Sequence, residues 1–154
     1  LGKFKGKWRR FELLGKWNDV DVISDYAHHP TEIKKTIKAT NELYFDRRVV
    51  LCFQPHQHDR IIKLKEQFIE VLDNIDELVI SEIYDVTGRN EQSEVSAKEI
   101  VDRLQGKRKF PIHFGGDLDN TERILREVVQ PDDVLLFMGA GDIDDLARKL
   151  TGAI

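Results

Sequence analysis

The sequence predicts an α/β fold in one domain, residues 1–154, built on a Rossmann-like, doubly wound, mostly parallel sheet of about six strands. The first observation is that short apolar runs alternate with longer stretches of helical periodicity, which favours βα units. The second is that these runs are apolar throughout, which is typical of strands buried on both faces. The third is a composition of 40% hydrophobic and 34% charged residues, as expected for a globular domain.

Six runs are predicted to form strands. Five of them are the parallel strands, at residues 20–24, 49–53, 78–83, 111–114 and 134–138. The sixth comes first, because "FKGKWRRFELLG" and "NDVDVISD" are separated by a turn signal at residues 15–19. We expect this segment to form a hairpin that adds an antiparallel strand at the sheet edge.

Helices are predicted between the strands. Pro30 suits the first turn of a helix, because its missing N–H costs nothing there. That helix has a stripe of apolar or small residues at Ile33, Ile37, Thr40 and Tyr44. A second helix begins near Asp59, with a stripe at Ile61, Ile62, Phe68, Ile69 and Leu72.

The later helices are placed by their predicted N-terminal caps. Ser96 and Glu99 have the spacing of a capping box, in which each side chain accepts a hydrogen bond from the other residue's backbone. Asp119 or Asn120 is expected to cap the fourth helix. The last helix is expected to begin near Asp142.

Charge and cysteine content exclude several classes of protein. The net charge of −4 is mixed along the chain, which argues against a nucleic-acid-binding surface. The single cysteine, Cys52, lies in an apolar run and is predicted to be a buried thiol in a reducing compartment. No apolar stretch approaches the ~20 residues of a membrane span, so we expect a cytoplasmic protein. The chain begins at Leu1, which suggests a fragment of a longer protein.

The functional site is predicted at the carboxyl edge of the sheet, where open α/β folds bind ligands. The polar segments expected there are "DYAHHP", "FQPHQHDR", "YDVTGRNEQ", "HFGGD" and "MGAGD". They contain or border all five histidines: His28, His29, His56, His58 and His113.

One interpretation of this cluster is the metal site of a metal-dependent hydrolase. His56 and His58, with His28, His29 and Asp25, offer imidazole and carboxylate ligands. Against it, the chain has no HExxH motif and no cysteine pair, and adjacent histidines project in different directions. We therefore predict no metal ligands in this chain.

A second interpretation is a free-standing dinucleotide-binding protein. "LLFMGAGDI" combines a strand, a glycine turn and a helix start, but the third glycine of GxGxxG is absent. The turn also follows the last strand rather than the first. Gly139 and Gly141 are explained as well by a tight turn with unusual backbone angles.

A third interpretation is a module that completes the active site of another domain. Arg10, His28, His56 and Arg60 are suited to bind anions, but no nucleophile–base pair occurs at short spacing. The chain also has no GxxxxGK[ST] phosphate loop, so it is not expected to hydrolyse ATP by itself.

Four segments in order, "FKGKWRRFE", "SDYAHHPTEI", "FQPHQHDR" and "MGAGDIDDLARKL", closely resemble the C-terminal domain of the bacterial Mur ligases, in particular the alanine-adding branch. The resemblance spans essentially the whole chain. It implies a fragment of a three-domain enzyme whose other domains bind the UDP-sugar and ATP. The C-terminal domain of this family is Rossmann-like and closes over the site.

The resemblance implies that the whole enzyme is an ADP-forming ligase of peptidoglycan synthesis that joins L-alanine to UDP-N-acetylmuramate. Its implied cofactors are ATP and Mg²⁺, the metal being held mainly by the central domain. The implied partners are the enzyme's own N-terminal and central domains with the three substrates. A related ligase that attaches a preformed peptide to the same sugar nucleotide remains an alternative. The fragment alone is expected to contain no catalytic residue and to be inactive.

Site residues follow from the same resemblance. Arg10 is implied to reach the ATP phosphates, and Asp25 to contact the ribose. Tyr26 and His28 are implied to line the nucleotide and the incoming amino acid. His29 is expected to brace the turn before Pro30 rather than to contact a ligand.

His56 and Arg60 resemble the residues that contact the amino-acid carboxylate and the phosphate in this family. An arginine–carboxylate contact is charge-assisted and directional, which suits this role. The sequence departs from the family pattern at Gln57 and His58, where an arginine and then an aromatic residue are usual. Gln57 supplies no charge, so we expect Arg60 or a neighbour to bind the carboxylate.

Overall fold

A computed structural model describes residues 7–85, 96–108 and 110–153. The six strands are β1 (Glu12–Trp17), β2 (Val20–Asp25), β3 (Val49–Phe53), β4 (Glu77–Ser81), β5 (Ile112–Gly116) and β6 (Val134–Met138). The five helices are α1 (Pro30–Leu43), α2 (His58–Val71), α3 (Ala97–Gln105), α4 (Leu118–Val128) and α5 (Ile143–Thr151). None of these helices is long and apolar enough to span a membrane. Residues 86–92 of the predicted "YDVTGRNEQ" loop lie outside the described residues.

The sheet has the strand order β1-β2-β6-β3-β4-β5, and only β1 is antiparallel to its neighbour. This confirms the predicted mostly parallel sheet with an antiparallel edge strand. The last strand, β6, lies between β2 and β3, so Met138 is paired with both Asp25 and Phe53. The loops that follow these three strands are therefore neighbours at the carboxyl edge.

The edge hairpin turns where the sequence predicted it. Asn18 and Asp19 join β1 to β2 with φ angles of 49° and 63°. Two left-handed residues form the kind of tight turn that matches the twist of antiparallel strands. Gly15 has a φ of 137° and coincides with a shift in strand register, which is typical of a β-bulge.

Each face of the sheet is covered by its own core. Residues of α1, α2 and α3 pack on one face, where the rings of Phe53 and Phe68 lie 5.9 Å apart. Residues of α4 and α5 pack on the other face, around Phe137 and Cys52. Cys52 is fully buried, as predicted, and burial raises the pKa of its thiol. Helices on both faces make the sheet doubly wound.

One residue of the predicted stripe on α2 points outward. Ile61 is completely buried, whereas Ile62 is 48% exposed. Successive side chains on an α-helix are separated by about 100°, so the residue after a core residue can point to solvent, as Ile62 does. The prediction that Ile62 belongs to the buried stripe was wrong.

Two predicted helix caps also differ from the structure. Ser96 is the N-cap of α3, but its side chain makes no capping hydrogen bond, and Glu99 forms an ion pair with Lys65 instead. The N-cap of α4 is Asp117, whose carboxylate accepts a hydrogen bond from the backbone N–H of Asn120 at 2.8 Å. Asp119 and Asn120 were predicted as the cap, so α4 begins earlier in the chain than predicted.

The amino edge of the sheet contains a cluster of charged groups that includes one of the five histidines. Arg48 forms ion pairs with Asp133 and Glu77, and the His113 imidazole lies 2.7 Å from the Glu77 carboxylate. His113 was expected at the carboxyl edge. Because β5 continues to Gly116, His113 is its second residue and lies at the opposite edge.

We predict that Ile61→Ala lowers the free energy of unfolding by about 2–5 kcal/mol, because it leaves a cavity in the core between α2 and the sheet. Ile62→Ala removes the same atoms from an exposed position and should change it by about 0.5 kcal/mol or less. Urea denaturation of the 154-residue chain measures both. Equal losses in the two variants would contradict the observed orientation of α2.

Candidate functional site

A row of four aromatic rings crosses the carboxyl edge of the sheet. Tyr26 and His28 meet edge-on at 5.2 Å, and His28 and His56 meet edge-on at 5.6 Å. His56 stacks on Tyr84, with ring centres 5.8 Å apart. We refer to Tyr26, His28, His56 and Tyr84 as the aromatic row. The structure thus brings three predicted site residues together and adds Tyr84, which the sequence did not identify.

His28 is fixed by contacts within its own loop. Its Nδ1 lies 3.0 Å from the Tyr26 carbonyl oxygen and 3.7 Å from the Glu32 carboxylate. Burial alone would raise the Glu32 pKa, but hydrogen bonds from the backbone N–H groups of His28 and His29 lower it below its ordinary value. Glu32 is therefore a stable anion that orders the start of α1.

His29 has the scaffolding role that the sequence analysis expected. It is the N-cap of α1, and its Nδ1 accepts a hydrogen bond from the Thr31 N–H at 3.3 Å. Glu32 in turn accepts a hydrogen bond from the His29 N–H at 3.2 Å. This is a complete capping box, with Pro30 at the first helical position. A histidine is an unusual N-cap, so the motif was not predicted from the sequence.

His56 and Arg60 have unused hydrogen-bonding capacity. His56 Nδ1 and Arg60 Nη1 are buried and have no hydrogen-bond partner among the described residues. Burial lowers the His56 pKa, the charges of His28 and Arg60 lower it further, and Asp85 opposes them. At neutral pH the imidazole is therefore uncharged, and Arg60 supplies the positive charge. A buried guanidinium N–H without an acceptor suits an anionic ligand.

The two residues that depart from the family pattern are constrained locally. Gln57 has a left-handed φ of 64°, and its N–H donates to the Tyr84 carbonyl at 3.1 Å. His58 is the first residue of α2, and its imidazole contacts the Asp85 carboxylate. Since His58 turns towards Asp85, it does not join the aromatic row.

The described residues do not form a metal site. Within residues 7–85, 96–108 and 110–153, no group of three or more His, Cys, Asp or Glu side chains is arranged to bind a metal ion. His29 caps α1, and His58 contacts Asp85. The described part of the chain therefore gives no support to the metal-hydrolase interpretation.

Three predicted nucleotide contacts line one cleft. Arg10, Asp25 and Tyr26 share a cleft of about 560 Å³, which Lys7 and Lys35 also line, so three of its side chains are cationic. His28 lies beyond the Tyr26 ring, next to His56, and belongs to the neighbouring part of the edge. A larger cleft of about 670 Å³ between α1 and α2 contains none of the predicted site residues.

The Asp25 carboxylate already accepts two backbone hydrogen bonds. One comes from the Phe11 N–H at 2.8 Å and the other from the Ala27 N–H at 2.7 Å. Burial raises the Asp25 pKa, and these two hydrogen bonds partly offset that effect. Asp25 is thus an anchor for the turn that contains Arg10, and only its remaining lone pairs are available to a ligand.

Arg9 is a further residue of this edge that the sequence analysis missed. Its Nη2 donates to the carbonyl oxygens of Gly139 and Gly141, both at 2.8 Å. Its guanidinium carbon lies 5.0 Å from the centre of the Tyr26 ring. The sequence signal was the pair "RR", of which only Arg10 was selected.

The glycines of "MGAGD" permit close packing against the neighbouring loops. A Cβ on Gly141 would lie 2.4 Å from Tyr84 and 2.5 Å from Gln54, and a Cβ on Gly139 would lie 2.8 Å from the Gln54 carbonyl. Only Gly139 has an unusual backbone angle, with φ of 154°, so the prediction of unusual angles was wrong for Gly141. With Arg9 bonded to its carbonyls, this turn is part of the scaffold rather than a dinucleotide-binding loop.

The chain is similar to known proteins along most of its length. The family described as "Mur ligase, glutamate ligase domain" matches residues 9–141. UDP-N-acetylmuramate–L-alanine ligase of Sulfurihydrogenibium sp. (strain YO3AOP1) is 35% identical over 97% of this chain and 32% of its own length. The chain thus spans about a third of the curated relatives that it matches.

Solved structures show the same fold. UDP-N-acetylmuramate-alanine ligase of Thermotoga maritima has a TM-score of 0.74 and 28% identity, covering 97% of this chain and 30% of that one. A murein peptide ligase of Psychrobacter arcticus has a TM-score of 0.71 and 21% identity, covering 94% and 29%. The match to most of the chain and the shared fold show that this chain belongs to the Mur ligase family, in its glutamate ligase domain.

Proposed function

We propose that this chain is the C-terminal domain of an ATP-dependent ligase that joins L-alanine to UDP-N-acetylmuramate. The observation that carries the proposal is the pairing of two anion-binding regions at one sheet edge. Arg10 lies at the cleft with Asp25 and Tyr26, and Arg60 lies beside His56 with free donor capacity. Relatives named UDP-N-acetylmuramate–L-alanine ligase support the choice of substrates.

In the proposed reaction, ATP phosphorylates the lactyl carboxylate of UDP-N-acetylmuramate. The amine of L-alanine then attacks the acyl phosphate, and phosphate leaves after ADP. This chain would contribute contacts by closing over the central domain, which excludes water and completes the site. Magnesium would neutralise phosphate charge, and the resemblance to the family implies that the central domain mainly holds it. The cytoplasmic location expected from the sequence stays a prediction.

Each proposed contact suits the chemistry of its side chain. Arg10 is exposed at the cleft and permanently charged, so it can bind phosphate oxygens. Tyr26 is 40% exposed and offers a ring face beside that cleft. Asp25 has lone pairs left for a ribose hydroxyl. His28 lies between the two regions, where it can contact either the nucleotide or the amino acid.

A second candidate is a ligase that attaches a preformed peptide to the same sugar nucleotide. The observation that favours it is Gln57, an uncharged residue in a left-handed conformation at a position where arginine is usual in the family, which weakens the preference for alanine. The murein peptide ligase of Psychrobacter arcticus shares the fold, with a TM-score of 0.71.

We predict that the full-length protein forms ADP in the presence of UDP-N-acetylmuramate and L-alanine, and at least about tenfold more slowly with a tripeptide in place of alanine. A coupled ADP-release assay measures both rates. The isolated 154-residue chain should show no ATP turnover, because it contains no phosphate loop. Faster turnover with the tripeptide would select the second candidate, and ATP turnover by the isolated chain would contradict the proposed division of roles.

We predict that Arg60→Ala in the full-length protein raises the apparent KM for L-alanine by about tenfold or more, because a charge-assisted hydrogen bond is lost. The KM for ATP should change by less than about twofold, an effect below 0.5 kcal/mol. Steady-state kinetics provide both constants. Lys63→Ala is the matched control, since Lys63 is an exposed cation on the same helix. An unchanged KM for alanine in Arg60→Ala would remove Arg60 from the amino-acid site.

We predict that His56 titrates below the ordinary histidine pKa of about 6.5, because burial and the neighbouring cations disfavour its charged form. The unfolded chain takes up this proton more readily, so the His56 contribution to stability is present above about pH 6.5 and decreases as the pH falls below it. An NMR titration of the ring protons, assigned with His56→Gln, measures the midpoint. A midpoint above 6.5 would contradict the predicted effect of burial and of the neighbouring charges on His56.

A further inference from the structure

The turn that presents Arg10 has an unusual backbone. Arg9 and Phe11, the residues on either side of it, have left-handed φ angles of 50° and 47°. Residues other than glycine rarely adopt this conformation, and it persists where surrounding contacts impose it. The conformation of Arg10 therefore depends on contacts made by its neighbours.

Two carboxylates provide part of that restraint. Glu12 accepts a hydrogen bond from the Arg9 N–H at 2.7 Å, and Asp25 accepts one from the Phe11 N–H at 2.8 Å. The two left-handed residues are thus each bonded through their backbone to an acid on β1 or β2. These bonds fix the path of the backbone and tie the turn to the end of β2, but they do not reach the loop after β6.

The Arg9 side chain makes that connection. It is 12% exposed, and its Nη2 donates to the carbonyl oxygens of both Gly139 and Gly141. The guanidinium lies against the Tyr26 ring, and the Tyr26 N–H donates to the Arg9 carbonyl at 2.7 Å. Its Nε is 3.8 Å from the buried Asp144 carboxylate. One side chain therefore joins the turn of Arg10, the ring of Tyr26 and the loop after β6.

We propose that Arg9 is a positioning residue of the nucleotide cleft, which holds Arg10 and Tyr26 in their binding positions before ATP arrives. The inference rests on the proposed function, because it assigns nucleotide binding to that cleft. Pre-ordering a site increases affinity, since the ligand no longer has to order it. Arg9 itself is directed into the scaffold, with both contacts of its Nη2 made to backbone carbonyls.

The chain offers a closely matched control at the opposite edge of the sheet. Arg47 donates to the carbonyl oxygens of Asp132 and Asp133, both at 2.7 Å, and lies 5.2 Å from the Tyr44 ring. It is 15% exposed, close to the value for Arg9. Arg9 lies 3.8 Å from one aspartate carboxylate, that of Asp144, whereas Arg47 pairs with two, those of Asp21 and Asp132. Loss of Arg47 should therefore cost at least as much stability as loss of Arg9, at a greater distance from the cleft.

The test compares Arg9→Met and Arg47→Met in the full-length protein. We expect Arg9→Met to raise the KM for ATP and the calorimetric Kd for ADP about tenfold, while the KM for L-alanine changes less than about twofold. Arg47→Met should lower the melting temperature by at least as much as Arg9→Met and leave both nucleotide constants within about twofold of the parent. Equal nucleotide constants in the two variants would overturn the proposal.

A conservative pair covers the case in which a methionine variant does not fold. Arg9→Lys keeps the charge but lacks the planar group that reaches two carbonyls, so its ADP affinity should fall between those of the parent and Arg9→Met. Arg47→Lys is its control, and an unchanged Kd in Arg9→Lys and Arg9→Met would also overturn the proposal. ADP binding is measured without L-alanine. A failure of alanine ligation alone would therefore reject the proposed function and leave the Arg9 result standing.

Discussion

The pairing of β6 between β2 and β3 is the constraint from which the rest of the carboxyl edge follows. Met138 is in register with Asp25 on one side and Phe53 on the other, so three strands end at the same level. All three strands are buried on both faces, and their backbone hydrogen bonds leave no freedom to slide. The loops that carry Tyr26, His56 and Gly139 are adjacent for that reason, although they are far apart in the sequence.

Polar contacts between these loops then set the positions of individual side chains. Arg9 donates hydrogen bonds to the loop after β6, and Tyr84 stacks on His56. Glu32 accepts hydrogen bonds from the backbone N–H groups before α1. Most polar groups of the edge are thus bonded to one another. The exceptions include Arg9 Nε, His56 Nδ1 and Arg60 Nη1, which are buried and have no hydrogen-bond partner among the described residues. Most hydrogen-bonding groups of this edge have partners, and a few donors are free to bind an anion. This arrangement suits a domain that completes a site formed by another domain.

Sequence reasoning succeeded where local pattern and structure share a cause. Uniformly apolar runs became buried parallel strands, and Cys52 is buried among them. It failed where a side chain had several possible partners. Glu99 met Lys65 instead of completing a capping box, and a capping box formed around His29 instead. His113 was assigned to the wrong edge because the pattern did not show how far β5 continues.

The sequence by itself determined the α/β class, the five helices and the antiparallel edge hairpin, because the order of residue types sets the apolar runs and the helical periodicity. Only the tertiary structure decided the strand order and the contacts of Arg9, the other arginine of "RR". Those choices depend on contacts between segments more than 100 residues apart, such as Arg9 with Gly139 and Gly141. Local sequence patterns do not show which distant segments will be in contact. The roles of Arg9 and Tyr84 were therefore visible only in the folded structure, where the loops lie side by side.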